Sequence, residues 1–142
     1  MTKILEGKRG LIMGVANDRS LAWGIAQSCH DAGAELAFTY QGEALKKRVV
    51  PLAQSVDSNI VLECDVTEMD SIDKTFAEIS KIWGKLDFLV HAIGFSDKNE
   101  LRGRYVDTSL KNFEMTMNIS VYSFTAVAQR AEKVRLFIPR IN

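Results

Sequence analysis

Arg9-Gly10-Leu11-Ile12-Met13-Gly14-Val15-Ala16-Asn17-Asp18-Arg19-Ser20-Leu21-Ala22-Trp23-Gly24 is the stretch whose reading decides the fold. Residues 9–14 read as a buried strand ending in glycine. Residues 21–32 read as a helix with Leu21, Ile25, Ser28 and Cys29 on one face. Ser20 stands at its N-cap position and Gly33 ends it. A glycine at a strand end, followed by a helix N-terminus, brings unpaired backbone amides and the positive dipole end to one place, which suits a phosphate group. Gly14 would let the backbone approach such a group, and Gly24 would let the helix lie near the strand. This is not Gly-x-Gly-x-x-Gly, and a purely structural strand–helix turn accounts for the glycines alone. No Gly-Lys-Ser/Thr follows, so a Walker loop is excluded.

The same alternation continues outward. Residues 35–40 form a second short apolar strand pattern. A charged amphipathic helix is expected over residues 43–55, bent or broken at Pro51. Residues 59–64 read as a third strand. Thr67-Glu68-Met69-Asp70 resembles a capping box opening a helix through Ile82, with Ile72, Phe76, Ile79 and Trp83 along one stripe. Residues 86–93 read as a very apolar fourth strand. After a polar loop, one long helix is expected over residues 108–133. Phe113, Met117, Val121, Phe124 and Ala128 form one apolar stripe on it, and Met115, Ile119, Tyr122 and Ala126 another. One side would face the sheet and the other a second subunit. Strands alternating with helices imply βαβ units, right-handed crossovers and a doubly wound parallel sheet, here an α/β arrangement of about four strands with flanking helices. In such sheets ligands bind outside the carboxyl ends of the strands.

The chain has 142 residues, 46% apolar and 25% charged, enough for one domain with a core. Its 18 basic and 18 acidic residues balance, which argues against nucleic acid or an anionic membrane as the main partner. The two cysteines, Cys29 and Cys64, lack metal or redox spacing, so no metal site is expected and a reduced, cytoplasmic protein is the default. No apolar run is long enough to span a bilayer, and the N-terminus does not read as a secretory signal.

Gly14-Val15-Ala16 followed by Ser20-Leu21-Ala22-Trp23-Gly24-Ile25-Ala26 resembles the divergent turn of bacterial NADH-dependent enoyl-acyl-carrier-protein reductases, within the short-chain dehydrogenase/reductase superfamily. The segment from Gly33 to Gln41 is similar to their second strand, and Cys64-Asp65-Val66 to their third strand end. His91-Ala92-Ile93-Gly94-Phe95 resembles their fourth strand, where ordinary superfamily members carry Asn-Asn-Ala-Gly. Ile119-Ser120-Val121-Tyr122-Ser123-Phe124 resembles the start of their long fourth helix. The resemblance covers residues 5–133 and implies an incomplete Rossmann-like dinucleotide-binding domain over 1–133, followed by a divergent tail over 134–142. That tail could partly cover the outer edge of the fourth strand.

The resemblance also implies site roles. Gly14, Ser20 and Leu21 would contact the pyrophosphate and a neighbouring ribose, although Ser20 could be a plain N-cap. Gln41 sits where many dinucleotide enzymes carry the acid that binds the adenosine ribose. A neutral amide cannot repel a 2′-phosphate by charge, so NADP is not excluded, and NAD (NADH) is favoured only by the lack of an arginine directly after strand two. Lys46, Lys47 and Arg48 read as a solvated helix face in preference to a phosphate clamp. Asp65 and Val66 would flank the adenine, the alternative for Asp65 being a loop residue ahead of a helix. Ile93 and Gly94 would line the nicotinamide side, and Phe95 and Ser96 would begin the substrate edge. Asn118 would either support the site or be a satisfied core amide. His91 is read as a structural position and His30 as a helix-surface residue, neither with a Cys or Ser partner arranged for nucleophilic catalysis.

The implied function is an oxidoreductase of fatty acid biosynthesis and lipid metabolism. It would reduce trans-2-enoyl thioesters held on acyl carrier protein, with the complete protein a homo-oligomer. In that family a Tyr hydroxyl stabilises the developing thioester oxyanion and a Lys holds the cofactor ribose, as Tyr-x-x-x-x-x-x-Lys well after the fourth helix. The three tyrosines here are Tyr40, Tyr105 and Tyr122. Tyr40 and Lys47 share that spacing but fall on the adenosine side. No catalytic residue is therefore assigned, and the chain is expected to be a non-catalytic fragment. An ordinary ketoreductase is disfavoured by His91-Ala92-Ile93-Gly94 and by the spacing after Gly14. A non-enzymatic redox-sensing module has no sequence support beyond the missing pair.

Overall fold

The computed structural model describes residues 3–134; the divergent tail beyond Val134, and any cover it lends to the fourth strand, lies outside the described residues. Four parallel strands, β1 (Arg9–Met13), β2 (Glu35–Tyr40), β3 (Val61–Glu63) and β4 (Phe88–His91), pair in the order β3-β2-β1-β4. The chain steps outward from β1 through β2 to β3, then returns to pair β4 on the other side of β1. Met13 lies beside His91 and Phe38 beside Val61. The reversal of strand order therefore falls between β1 and β4, where the crevice of an open α/β sheet forms.

Strand periodicity divides the core in two. Ile12, Leu36 and Phe38 point to one face and pack with Ala22, Trp23 and Ala26 of α1 (Leu21–Asp31) and Val49 and Ala53 of α2 (Glu43–Ser55). Leu11, Met13 and Ala37 point to the other face. There they meet Ile72, Phe76 and Ile79 of α3 (Met69–Trp83) and Ala126, Val127 and Ala131 of α5 (Ser123–Lys133). Apolar strands are thus covered on both faces, as a parallel sheet requires. At the base of the sheet, the Arg9 amide and the Lys8 and Lys85 ammonium groups converge on the Asp87 carboxylate.

Several local expectations are corrected. In α1 the buried face is Ala22, Trp23 and Ala26, while Leu21 and Ile25 face solvent. Gly24 also faces open space, so the small side chains of Ala22 and Ala26 let the helix approach the sheet. α2 runs unbroken through Pro51. The capping box is not made: Thr67 turns back to Asp65, and α3 begins at Met69 without a side-chain cap. The long last helix is three pieces, α4 (Leu110–Met117), a π-helical turn over Asn118–Tyr122 and α5. In the turn the Ser123 amide reaches the Asn118 carbonyl. Its inward face is Asn112, Ser123, Ala126, Val127 and Ala131, whereas Phe113, Met117, Val121 and Phe124 are exposed. Among the described residues, no helix is long and apolar enough to cross a membrane.

Candidate functional site

A cavity of about 420 Å³ opens at the carboxyl ends of all four strands. Gly14, Val15 and Ala16 follow β1; Tyr40 and Gln41 end β2; Cys64, Asp65, Val66 and Thr67 follow β3; Ala92, Ile93, Gly94 and Phe95 follow β4. Seven of the residues assigned from sequence meet here: Gly14, Gln41, Asp65, Val66, Ile93, Gly94 and Phe95. Ser20, Leu21 and Ser96 do not line it. Leu45 and Ile119 do, and sequence reasoning did not select them. Leu45 lies in the first turn of α2, four residues beyond Gln41, and that nearness is the available signal.

The turn after β1 is built by Gly14 and Ser20. Gly14 has φ of 112°, and a Cβ there would strike the Ala92 carbonyl, so this glycine lets β1 and β4 run together at the crevice. Ser20 occupies the N-cap position of α1, yet its hydroxyl makes no bond to the helix. Its Oγ accepts from the Ala16 and Asn17 amides at 2.9 and 3.1 Å, holding the loop. The hydrogen-bond ladder of α1 opens at the Trp23 amide, which donates to the Ser20 carbonyl. The amides of Leu21 and Ala22 precede that ladder and suit an anionic group at the positive end of the helix.

Asp65 does structural work as well as lining the cavity. Its Oδ1 accepts from the Thr67 amide at 2.9 Å and the Thr67 hydroxyl at 2.7 Å. Burial pushes its carboxyl up, but the two Thr67 hydrogen bonds, helped by the nearby Gln41 side chain, outweigh this and hold it below the ordinary carboxylate range. The result is an ionised acceptor beside a neutral amide. Glycine turn, free first-turn amides and this acceptor fit the phosphate and base portions of a dinucleotide. Among the described residues, no cluster of His, Cys, Asp and Glu could hold a metal ion.

The loop after β4 is fastened to the last helices. Ser120 Oγ accepts from the Phe95 amide at 3.0 Å and donates to the Phe95 carbonyl at 3.2 Å. Ser96 turns toward α4, where its Oγ accepts from Thr116 at 2.9 Å and from the Asn112 amide at 3.2 Å. Asn112 also accepts from the Asp97 amide at 3.0 Å. It is the buried amide of this region, whereas Asn118 is exposed, so the core-amide reading of Asn118 is corrected.

His91 does have a serine beside it: its Nε2 lies 2.7 Å from Ser123 Oγ. Ser123 is fully buried and donates to the Ile119 carbonyl at 2.5 Å, so the pair holds β4 against the π-helical turn and offers no nucleophile. Burial lowers the His91 pKa, and its ring meets Phe124 edge-on at 5.6 Å. His30 is half-buried, 3.8 Å from Asp57.

Comparison with known proteins matches the model of a family described as enoyl-(acyl carrier protein) reductase over residues 14–138. The chain is 61% identical to enoyl-[acyl-carrier-protein] reductase [NADH] 1 of Rhizobium meliloti over 92% of this chain and 48% of that protein. A crystal structure of the Anaplasma phagocytophilum reductase in complex with NAD superposes with a TM-score of 0.90 at 54% identity, covering 94% of this chain and 52% of the other. The Bacillus cereus reductase, solved with NADP+ and an indole naphthyridinone, gives a TM-score of 0.90 at 45% identity with the same coverage. The chain spans about half the length of the curated relatives it matches.

Proposed function

This chain belongs to the enoyl-(acyl carrier protein) reductase family, and we propose that its residues form the dinucleotide cradle of an NADH-dependent reductase of trans-2-enoyl thioesters on acyl carrier protein. The observation that carries the reading is the convergence of all four strand ends on one cavity. Gly14, Ser20 and Leu21 hold the pyrophosphate and adjoining ribose. Gln41 meets the adenosine ribose, and Asp65 and Val66 flank the adenine. Ile93 and Gly94 border the nicotinamide; Phe95 begins the substrate edge, with Ser96 anchoring the loop behind it to α4. When bound, the cofactor supplies the hydride. This chain's residues orient it and exclude water.

A polypeptide of only these residues is read as non-catalytic. Tyr40 is the tyrosine that lines the cavity, and it lies at the β2 end with Lys46 over its ring. Tyr105 and Tyr122 are exposed and line no part of it. The test is a fluorescence titration of the 142-residue chain with NADH, followed by an assay with crotonyl thioester. The expected result is weak, saturable NADH binding without thioester-dependent oxidation. Absence of binding overturns the cradle; clear turnover overturns the non-catalytic reading.

A further inference from the structure

We infer that Glu43 is a specificity-determining residue that sets the cradle against NADPH by holding Lys46 in a pair. The inference rests on the dinucleotide reading above. α2 begins at Glu43, just after the cavity-lining Tyr40 and Gln41, and its first turn places Leu45 on the same cavity. The first turn of α2 therefore borders the end assigned to the adenosine ribose. An NADPH 2′-phosphate would add up to two negative charges at that ribose and requires a cation free to meet it.

Lys46 is the basic side chain in contact with this part of the wall, its Nζ lying 5.8 Å from the centroid of the Tyr40 ring. It is not free. Its Nζ lies 3.4 Å from Glu43 Oε1, and both side chains are substantially exposed, so the pair is held by local geometry and not by burial. Gln41 brings no charge, and the Asp65 carboxylate lines the same cavity. With Lys46 paired to Glu43, the charged residue left among those lining the cavity is Asp65, so the wall is net negative. That tolerates a ribose hydroxyl and disfavours a phosphate. The neutrality of Gln41, which by itself leaves NADPH open, is thus supplemented by a carboxylate two residues on.

The test uses the 142-residue chain with NADH and NADPH as probes. Dissociation constants are measured for the unsubstituted chain, for Glu43→Gln and for Glu43→Gln combined with Lys46→Met. Glu43→Gln removes one charge and frees Lys46, so NADPH affinity rises about tenfold at low salt. NADH affinity stays within about twofold, because a hydroxyl carries no charge to respond. The double variant returns NADPH affinity to the starting level. An unchanged NADPH-to-NADH ratio in Glu43→Gln overturns the assignment, as does a gain that survives Lys46→Met. If the unsubstituted chain binds neither dinucleotide, the cradle reading fails and the assignment with it. If it binds NADH with an unaltered ratio, only the role of Glu43 is lost.

Discussion

At Gly14 and Gly24 one residue type serves two different ends. Gly14 combines positive φ with a backbone carbonyl standing where a side chain would go. Gly14→Ala is expected to destabilise the fold by roughly 2–3 kcal/mol or more, since both the left-handed conformation and the clash must be relieved. Gly24 sits inside α1 with nothing within reach of an added Cβ. Gly24→Ala is expected to stabilise by up to about 1 kcal/mol through helix propensity. Urea unfolding midpoints of the two variants distinguish them, and equal effects would contradict the packing described. The glycine pattern alone casts both as aids to close approach. The distinction depends on which way each residue faces, which a glycine pattern does not encode.

The helices show where local rules yielded to packing. α2 keeps its helical path through Pro51 because Val49 and Ala53, on either side, are buried against the sheet and hold the helix in place. Proline lacks the amide and crowds the preceding turn, so the helix carries a local cost there. Pro51 is exposed and supplies no core contact. Pro51→Ala is therefore expected to raise stability by about 1–2 kcal/mol, the helix gain being reduced by greater freedom of the unfolded chain. Thermal or urea unfolding checks this, and a loss of stability would mean that the ring packs on something. The capping box of α3 failed for a related reason. Thr67 had a stronger local partner in the Asp65 carboxylate, so its hydroxyl and amide closed the turn behind the helix. The π-helical turn had no sequence signal, because the Ser123 hydroxyl and the nearby His91 ring meet only in three dimensions.

Across the whole molecule, two surfaces stand open among the described residues. β4 pairs with β1 on one side alone, and Phe113, Met117, Val121 and Phe124 of the last helices are exposed apolar side chains. Unpaired strand edges and exposed apolar patches favour association. The chain is expected to self-associate with rising concentration in sedimentation velocity, and Val121→Lys with Phe124→Glu to shift it toward monomer. Concentration-independent monomers would show that these surfaces are inert. The site itself is sturdier, since β1, β2 and β3 are covered by α1, α2 and α3, and the loop after β4 is tied down through Ser120 and Asn112.

Sequence by itself determined the alternation of strands and helices, the parallel doubly wound sheet and the positions Gly14, Gln41, Asp65, Val66, Ile93, Gly94 and Phe95 at the strand ends. Those follow from apolar periodicity, glycine punctuation and ordered family motifs, all properties of residues near one another in the chain. Only the tertiary structure decided the rest. It chose which face of α1 is buried, turned Ser96 toward Asn112 and Thr116, and left Asn118 in solvent. It also set Ser123 against His91 and Lys46 against the Tyr40 ring. The physical reason is that hydrogen bonds and ion pairs go to the nearest competent partner in space. For these side chains, that partner is fixed by how helices settle on the sheet.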